Sequence, residues 1–140
     1  MNAGLTDRSE RRVLFVCVEN AARSQIADGF FKKYAPNGWR SLSAGTRPGR
    51  GINPLAIEVM QEAGIDIGGQ HPREISKEFI DSAKIIINMG CMGKSDCPAV
   101  FLSNCVNWNI DDPKGKQVAE FRRIRDAIEA KVVELCKSLT

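Results

Sequence analysis

Val13-Leu14-Phe15-Val16-Cys17-Val18-Glu19-Asn20-Ala21-Ala22-Arg23-Ser24 passes from an apolar run through a short polar loop, and the architecture can be built outward from it. The apolar run 13–17 reads as a buried strand, and Ile26, Ala27, Phe30 and Phe31 follow at helical spacing. Cys17 therefore stands at the carboxyl end of a strand and faces a helix N-terminus near Arg23. Loop N–H groups and the helix dipole favour an anion there. The same field favours the thiolate, the nucleophilic form of cysteine. One segment thus offers a nucleophile in Cys17 and an oxyanion cradle running from Val18, Glu19, Asn20, Ala21 and Ala22 to Arg23 and Ser24. The Arg23 guanidinium can grip two oxygens at once. Ser24 is placed to donate a hydrogen bond to the thiolate. A cysteine and an arginine five residues apart are a weak signal alone, and a structural thiol beside a surface arginine is the bland alternative. The strand before and the helix after give the motif its weight, because function in open α/β sheets concentrates at strand ends.

Outward from this segment, strands and helices alternate. Pro36-Asn37-Gly38 ends the first helix, and Trp39 to Ala44 reads as a second strand closed by Gly45. A loop rich in glycine, proline and arginine spans Thr46 to Asn53, where Arg47 and Arg50 either attract an anion or sit solvated. Asn53-Pro54 starts a helix with Asn as N-cap and Pro at the first helical position, and Gly64 stops it. A short helix is expected over 75–82 from about Ser76, a central parallel strand over 84–89, and a long loop over 90–104. Val106 to Ile110 reads as a last strand. A long amphipathic helix spans 116–137 with Phe121, Ile124, Ile128, Val132 and Leu135 inward, and Arg122, Arg123, Arg125 and Lys131 on a solvated face. This order predicts a single-domain three-layer α/β/α fold with a four-stranded parallel sheet of flavodoxin-like topology. Residues 1–11 read as a flexible tail and 12–140 as the domain.

Composition bounds the function classes. The chain has 140 residues and a formal net charge of +3, too mild to argue for nucleic acid but suited to an anionic substrate. No apolar run has membrane-spanning length, and the polar start lacks the apolar core of a signal peptide. The expectation is a cytoplasmic monomer with no membrane partner. Five cysteines in a reducing compartment do not form a structural disulfide framework, so metal binding and redox catalysis are weighed instead.

Cys91 and Cys97 flank a glycine-containing loop at the same predicted sheet edge as Cys17. A zinc site would need Cys105 or His71 as further ligands, and the spacing matches no common pattern, so no metal is assigned. The redox reading fits better: Cys17 forms an adduct, Cys91 attacks its sulfur, and Cys97 resolves the disulfide as the loop moves. Two unrelated loop thiols remain the alternative. Asp111-Asp112-Pro113 follows the last strand. An acid near Cys17 can protonate a leaving oxygen, and adjacent carboxylates disfavour one another's charge. A plain Asp-Pro turn is an equal reading. His71 is read as a loop residue, and Cys136 as packing or surface.

The run from Phe15 to Ala27 resembles the active loop of the low-molecular-weight tyrosine phosphatases and of their relatives, the thioredoxin-coupled arsenate reductases. Ser43-Ala44-Gly45-Thr46, Asn53-Pro54-Leu55-Ala56, Gly64-Ile65-Asp66-Ile67, Asn88-Met89-Gly90-Cys91 with Cys97-Pro98, and Trp108 through Asp112-Pro113 extend the resemblance over about 12 to 137. The resemblance implies that Cys17 attacks arsenate held by the loop and Arg23, with Asp112 as the acid. It further implies that Cys91 displaces arsenite and that Cys97 frees Cys17, leaving a redox-active Cys91–Cys97 disulfide. Thioredoxin is the implied external reductant, and no bound cofactor is implied. The phosphatase branch, which hydrolyses phosphate monoesters through a phosphocysteine, lacks the Cys91/Cys97 pair and is the alternative. Cys105 is a minor candidate for the resolving thiol. Many relatives carry Gly-Asn-Ser-Cys-Arg where this chain has Glu19-Asn20-Ala21-Ala22-Arg23. A Glu19 carboxylate facing the thiolate would repel an oxyanion, so its side chain is expected to point outward.

Overall fold

The computed structural model describes residues 10–90 and 104–140. The elements are β1 (Arg11–Cys17), α1 (Arg23–Tyr34), β2 (Trp39–Gly45), α2 (Pro54–Glu62), α3 (Lys77–Ser82), β3 (Ile85–Asn88), β4 (Cys105–Asn107) and α4 (Val118–Ser138). All four strands are parallel in the order β2-β1-β3-β4. This is the flavodoxin-like order, with its switch point between β1 and β3. Cys17 ends β1 at that point, opposite Gly45 of β2, while Val16 pairs with Asn88 of β3.

The strand β1 is apolar on both faces because both are covered. Val13, Phe15 and Cys17 join one core with Ile26, Phe30 and Phe31 of α1, Val59 and Met60 of α2, and Phe121, Ile124, Ile128 and Val132 of α4. Leu14 and Val16 face the other way, with Ala44 and Ile86, against Phe79 and Ile80 of α3. One domain in three layers results, as the alternation of elements predicts. No helix among the described residues is long and apolar enough to cross a membrane.

Helix ends follow local chemistry. Asn53 caps α2 by accepting from the Leu55 N–H at 2.9 Å, with Pro54 first in the helix. Ser76 caps α3 through the Phe79 N–H at 3.1 Å. Two expectations need correction. The last strand is Cys105–Asn107 rather than Val106 to Ile110: Asn109 adopts φ 52° and breaks the regular ladder, while Trp108 and Ile110 still donate to the Asn88 and Met89 carbonyls at 2.9 Å. The arginines of α4 are not simply solvated. Glu62 of α2 accepts from Arg122 at 2.8 Å and from Arg125 at 2.8 Å, and Arg125 also donates to the Val59 carbonyl. These bonds tie α4 to α2 and hold the Glu62 carboxyl below the usual carboxylate range, through Arg122 first. The expected loop thiols Cys91 and Cys97 lie outside the described residues.

Gly45 is where β2 meets the active loop. A Cβ there would lie 2.4 Å from the Val18 carbonyl oxygen and 2.9 Å from the Asn20 nitrogen, both backbone atoms. Gly45→Ala is expected to lower unfolding stability by about 1–3 kcal/mol in urea titration, the usual cost of overpacking, and to slow alkylation of Cys17. An unchanged midpoint and unchanged alkylation would show that the loop can retreat.

Candidate active site

Planar trans peptides point N–H and C=O in opposite directions, so turning carbonyls outward turns the following N–H groups inward. The segment 46–53 does this to the loop after β1. Thr46 N–H donates to the Cys17 carbonyl at 3.2 Å, Arg47 to Val18 at 2.8 Å, Gly49 to Glu19 at 2.9 Å and Asn53 to Ala21 at 2.8 Å. The Asn20 carbonyl accepts from the Gln25 side chain at 2.9 Å, and the Ala22 carbonyl from Ile26 in the first turn of α1 at 2.8 Å. Every carbonyl from Cys17 to Ala22 is therefore engaged away from the site. The N–H groups of Val18 to Arg23 are left to converge beside the thiol, and that of Asn20 reaches Cys17 Sγ at 3.2 Å. Such a ring at the start of α1 is built for a tetrahedral oxyanion.

Asn20 is the hinge of the loop. It is fully buried at φ 54°, a conformation asparagine tolerates better than most residues. Its Oδ1 accepts from the Arg73 N–H at 2.9 Å and from Gln25 Nε2 at 3.0 Å, which fixes the orientation of the carboxamide. Nδ2 must then face Ser24, and it donates to the hydroxyl at 2.7 Å. With its oxygen accepting there, the Ser24 hydroxyl directs its own proton to Cys17 Sγ, 2.9 Å away. The expected hydrogen bond from Ser24 to the Cys17 sulfur is therefore present, and a buried network sets its direction.

Arg23 lies at the floor of the site with 4% of its side chain exposed. Its Nη1 donates to the carbonyls of Ile110 at 2.9 Å and Met89 at 3.4 Å. Those carbonyls come together because Gly90, at φ 104°, lets Asn109 approach: a Cβ would sit 2.6 Å from the Asn109 Cα. Asp112 stands 3.5 Å from Arg23 Nη2 and is 52% exposed. Asp111 turns away to Arg123 at 3.2 Å, so only Asp112 of the two lines the cleft. Asp112 also closes a turn by accepting the Lys114 N–H at 3.0 Å, so turn and candidate acid coincide.

Cys17, Ala21, Ala22 and Arg23 share an open cleft of about 260 Å³ with residues 49–54, Asp112, Lys114 and Glu19. The Glu19 carboxylate is engaged at the rim by the Lys114 ammonium. That hydrogen bond raises the ammonium above the ordinary lysine range, so Lys114 keeps its charge across neutral pH. Arg50 lines the cleft as well. Sequence reasoning missed Lys114 and the Arg73 amide, neither of which carries a motif signal, and gave no role to Gln25 although it lies within the Phe15–Ala27 run. His71 contributes only its carbonyl, which accepts from Gln25 at 3.1 Å. Cys105 is half-buried on β4. Cys136 is buried, and burial pushes its thiol up, away from reactivity. Among the described residues no group of three or more His, Cys, Asp or Glu side chains is arranged to hold a metal.

Residues 12–140 match the family described as low molecular weight phosphotyrosine protein phosphatase, and the chain belongs to that family. It is 36% identical over 131 residues to an arsenate reductase of Brevibacillus brevis, covering 93% of this chain and 97% of that one. A solved arsenate reductase in its phosphate-binding state superposes with a TM-score of 0.82 at 31% identity, covering 93% of this chain and 99% of that one. An arginine phosphatase from Geobacillus stearothermophilus also superposes at TM-score 0.82, with 26% identity and 92% of each chain covered.

Ser24→Ala removes the donor to the thiolate and leaves Asn20 Nδ2 without its acceptor. A hydrogen bond to a charged group is worth about 1.5–3 kcal/mol. Alkylation of Cys17 by iodoacetamide at pH 6 is expected to slow roughly tenfold or more. Equal rates in the two proteins would mean that the hydroxyl does not stabilise the thiolate.

Proposed function

We propose that the protein reduces arsenate to arsenite through a relay of Cys17, Cys91 and Cys97, recycled by thioredoxin, as an arsenic-detoxifying enzyme of the cytoplasm. The observation that carries this reading is the thiol of Cys17 in a ring of inward N–H groups, with Arg23 beneath it and Asp112 beside it. Similarity to proteins named arsenate reductase over nearly the whole chain supports reduction over hydrolysis.

In this scheme the ring and Arg23 hold the arsenate oxygens, and the Cys17 thiolate attacks arsenic. Asp112 gives its proton to the departing oxygen, which leaves as water. Arsenic is still As(V) at this stage. The Cys91 thiolate then attacks Cys17 Sγ, the sulfur–arsenic bond breaks, and its electron pair stays on arsenic. Arsenite, As(III), departs, and a Cys17–Cys91 disulfide holds the two oxidised sulfurs. Cys97 attacks Cys91 and releases the Cys17 thiolate. Thioredoxin, a dithiol, reduces the Cys91–Cys97 disulfide by two electrons. Cys17 sits against the Ser24 hydroxyl and the Asn20 N–H, which suits it as a leaving thiolate as well as a nucleophile.

Hydrolysis of phosphate monoesters is the second reading, favoured by the family match and by an oxyanion ring that does not distinguish phosphorus from arsenic. The two differ in the fate of Cys17 after one turnover. Fully reduced protein given one equivalent of arsenate, then alkylated and analysed by mass spectrometry, is expected to carry a Cys91–Cys97 disulfide with stoichiometric arsenite release. Cys17→Ser should abolish both. Asp112→Asn should slow the first step by about 10²–10⁴, the usual share of a general acid. Five free thiols together with hydrolysis of a phosphate ester would replace reduction by phosphatase chemistry.

A further inference from the structure

The mouth of the cleft carries an ion pair that the relay does not use. Residues 49–54 line the cleft together with Asp112 and Lys114, and Cys17 and Arg23 are its buried members. Oε1 of Glu19 lies 3.6 Å from where a Cβ on Gly49 would sit, which puts the carboxylate beside Gly49. Its Oε2 meets the Lys114 ammonium. Lys114 belongs to the same turn as Asp112, through its N–H to Asp112 Oδ1 at 3.0 Å. The two side chains, 37% and 66% exposed against 2% for Cys17, therefore lie on the solvent side of the cleft and join its Gly49 side to the Asp112 turn.

We propose that the Glu19–Lys114 pair is a specificity bar that favours bare tetrahedral oxyanions over organic phosphate monoesters. Attack by Cys17 places the departing oxygen opposite Sγ, toward the mouth and within reach of Asp112. The departing oxygen of a bare oxyanion carries only hydrogen and fits beneath the bar. That of an ester carries a carbon body, which has to pass the place where the two side chains meet. Binding an ester then requires the pair to separate, which exposes a carboxylate beside an incoming anion. Specificity here comes from an obstacle to the wrong substrate rather than a contact to the right one. This deepens the reading of the loop as an oxyanion cradle and rests on that reading, but it is independent of the cysteine relay.

The test measures dissociation constants for inorganic phosphate and phenyl phosphate by their protection of Cys17 from iodoacetamide. Wild type, Glu19→Ala, Lys114→Ala and the double variant are compared. Each single variant is expected to shift the phosphate-to-ester preference toward the ester by about two- to fivefold, the range an exposed ion pair imposes. The double variant should shift it no further, because either truncation already opens the bar. A mere charge effect gives another pattern: losing the ammonium weakens both anions, losing the carboxylate strengthens both, and the preference stays constant. That pattern, or no change in preference, overturns the proposal. If neither anion protects wild-type Cys17, the cradle reading itself falls and the bar with it. Failure of the disulfide to form in the arsenate experiment would instead remove the relay and leave the bar standing.

Discussion

The carbonyls of residues 17–22 have to be held away from the site, and much of the structure exists to hold them. Six consecutive peptide groups curled around one point is not a conformation a free chain keeps, since it pairs none of its own carbonyls until α1 begins. The segment 46–53 supplies four N–H groups in order, and Gln25 supplies another donor from the helix. Gly45 makes the approach of that segment possible by having no side chain where the Val18 oxygen passes. The sheet fixes the height of both segments, since Cys17 and Gly45 are paired across β1 and β2. The loop that follows β2 is therefore as much part of the site as the loop that follows β1.

A second constraint concerns charge. A guanidinium with 4% of its side chain exposed must find partners before any oxyanion arrives. Arg23 finds them in carbonyls at the ends of two other segments, Met89 after β3 and Ile110 after β4, and in Asp112. The site thus draws on the carboxyl ends of β1, β3 and β4 and on the turn beyond. The protein's own bonds shape the site, and an oxyanion has little reorganisation to demand of it. Pre-organised dipoles of this kind are worth most where charge develops during reaction.

Local chemistry made much of this legible. The buried run 13–17, the helical spacing after Arg23, the Asn53-Pro54 start and the Ser76 cap all depend on residues near one another in sequence. So did Ser24 as a partner of the thiol, because both ends of that contact lie on one loop and its helix. Three features escaped. Asn109 in a left-handed conformation shortens β4, and a single asparagine between apolar residues gives no warning of it. Arg125 looked solvent-facing by helical period, yet its head reaches Glu62 and the Val59 carbonyl, 63 and 66 residues earlier in the chain. Lys114 carries no motif at all, and its meeting with Glu19 spans 95 positions.

The sequence by itself determined the order of the elements, the parallel sheet, and the thiol, arginine and serine of the active loop, because period, capping and spacing act over a few residues. Only the tertiary structure decided which way Asn20 and Ser24 point, which of the two aspartates enters the cleft, and where the Glu19 carboxylate goes. Each of those depends on a donor or counter-charge from a distant segment: the Arg73 amide for Asn20, Arg123 drawing Asp111 aside, and Lys114 for Glu19. Hydrogen bonds and ion pairs are short-ranged in space and indifferent to separation along the chain, so their partners are settled only when the chain has folded.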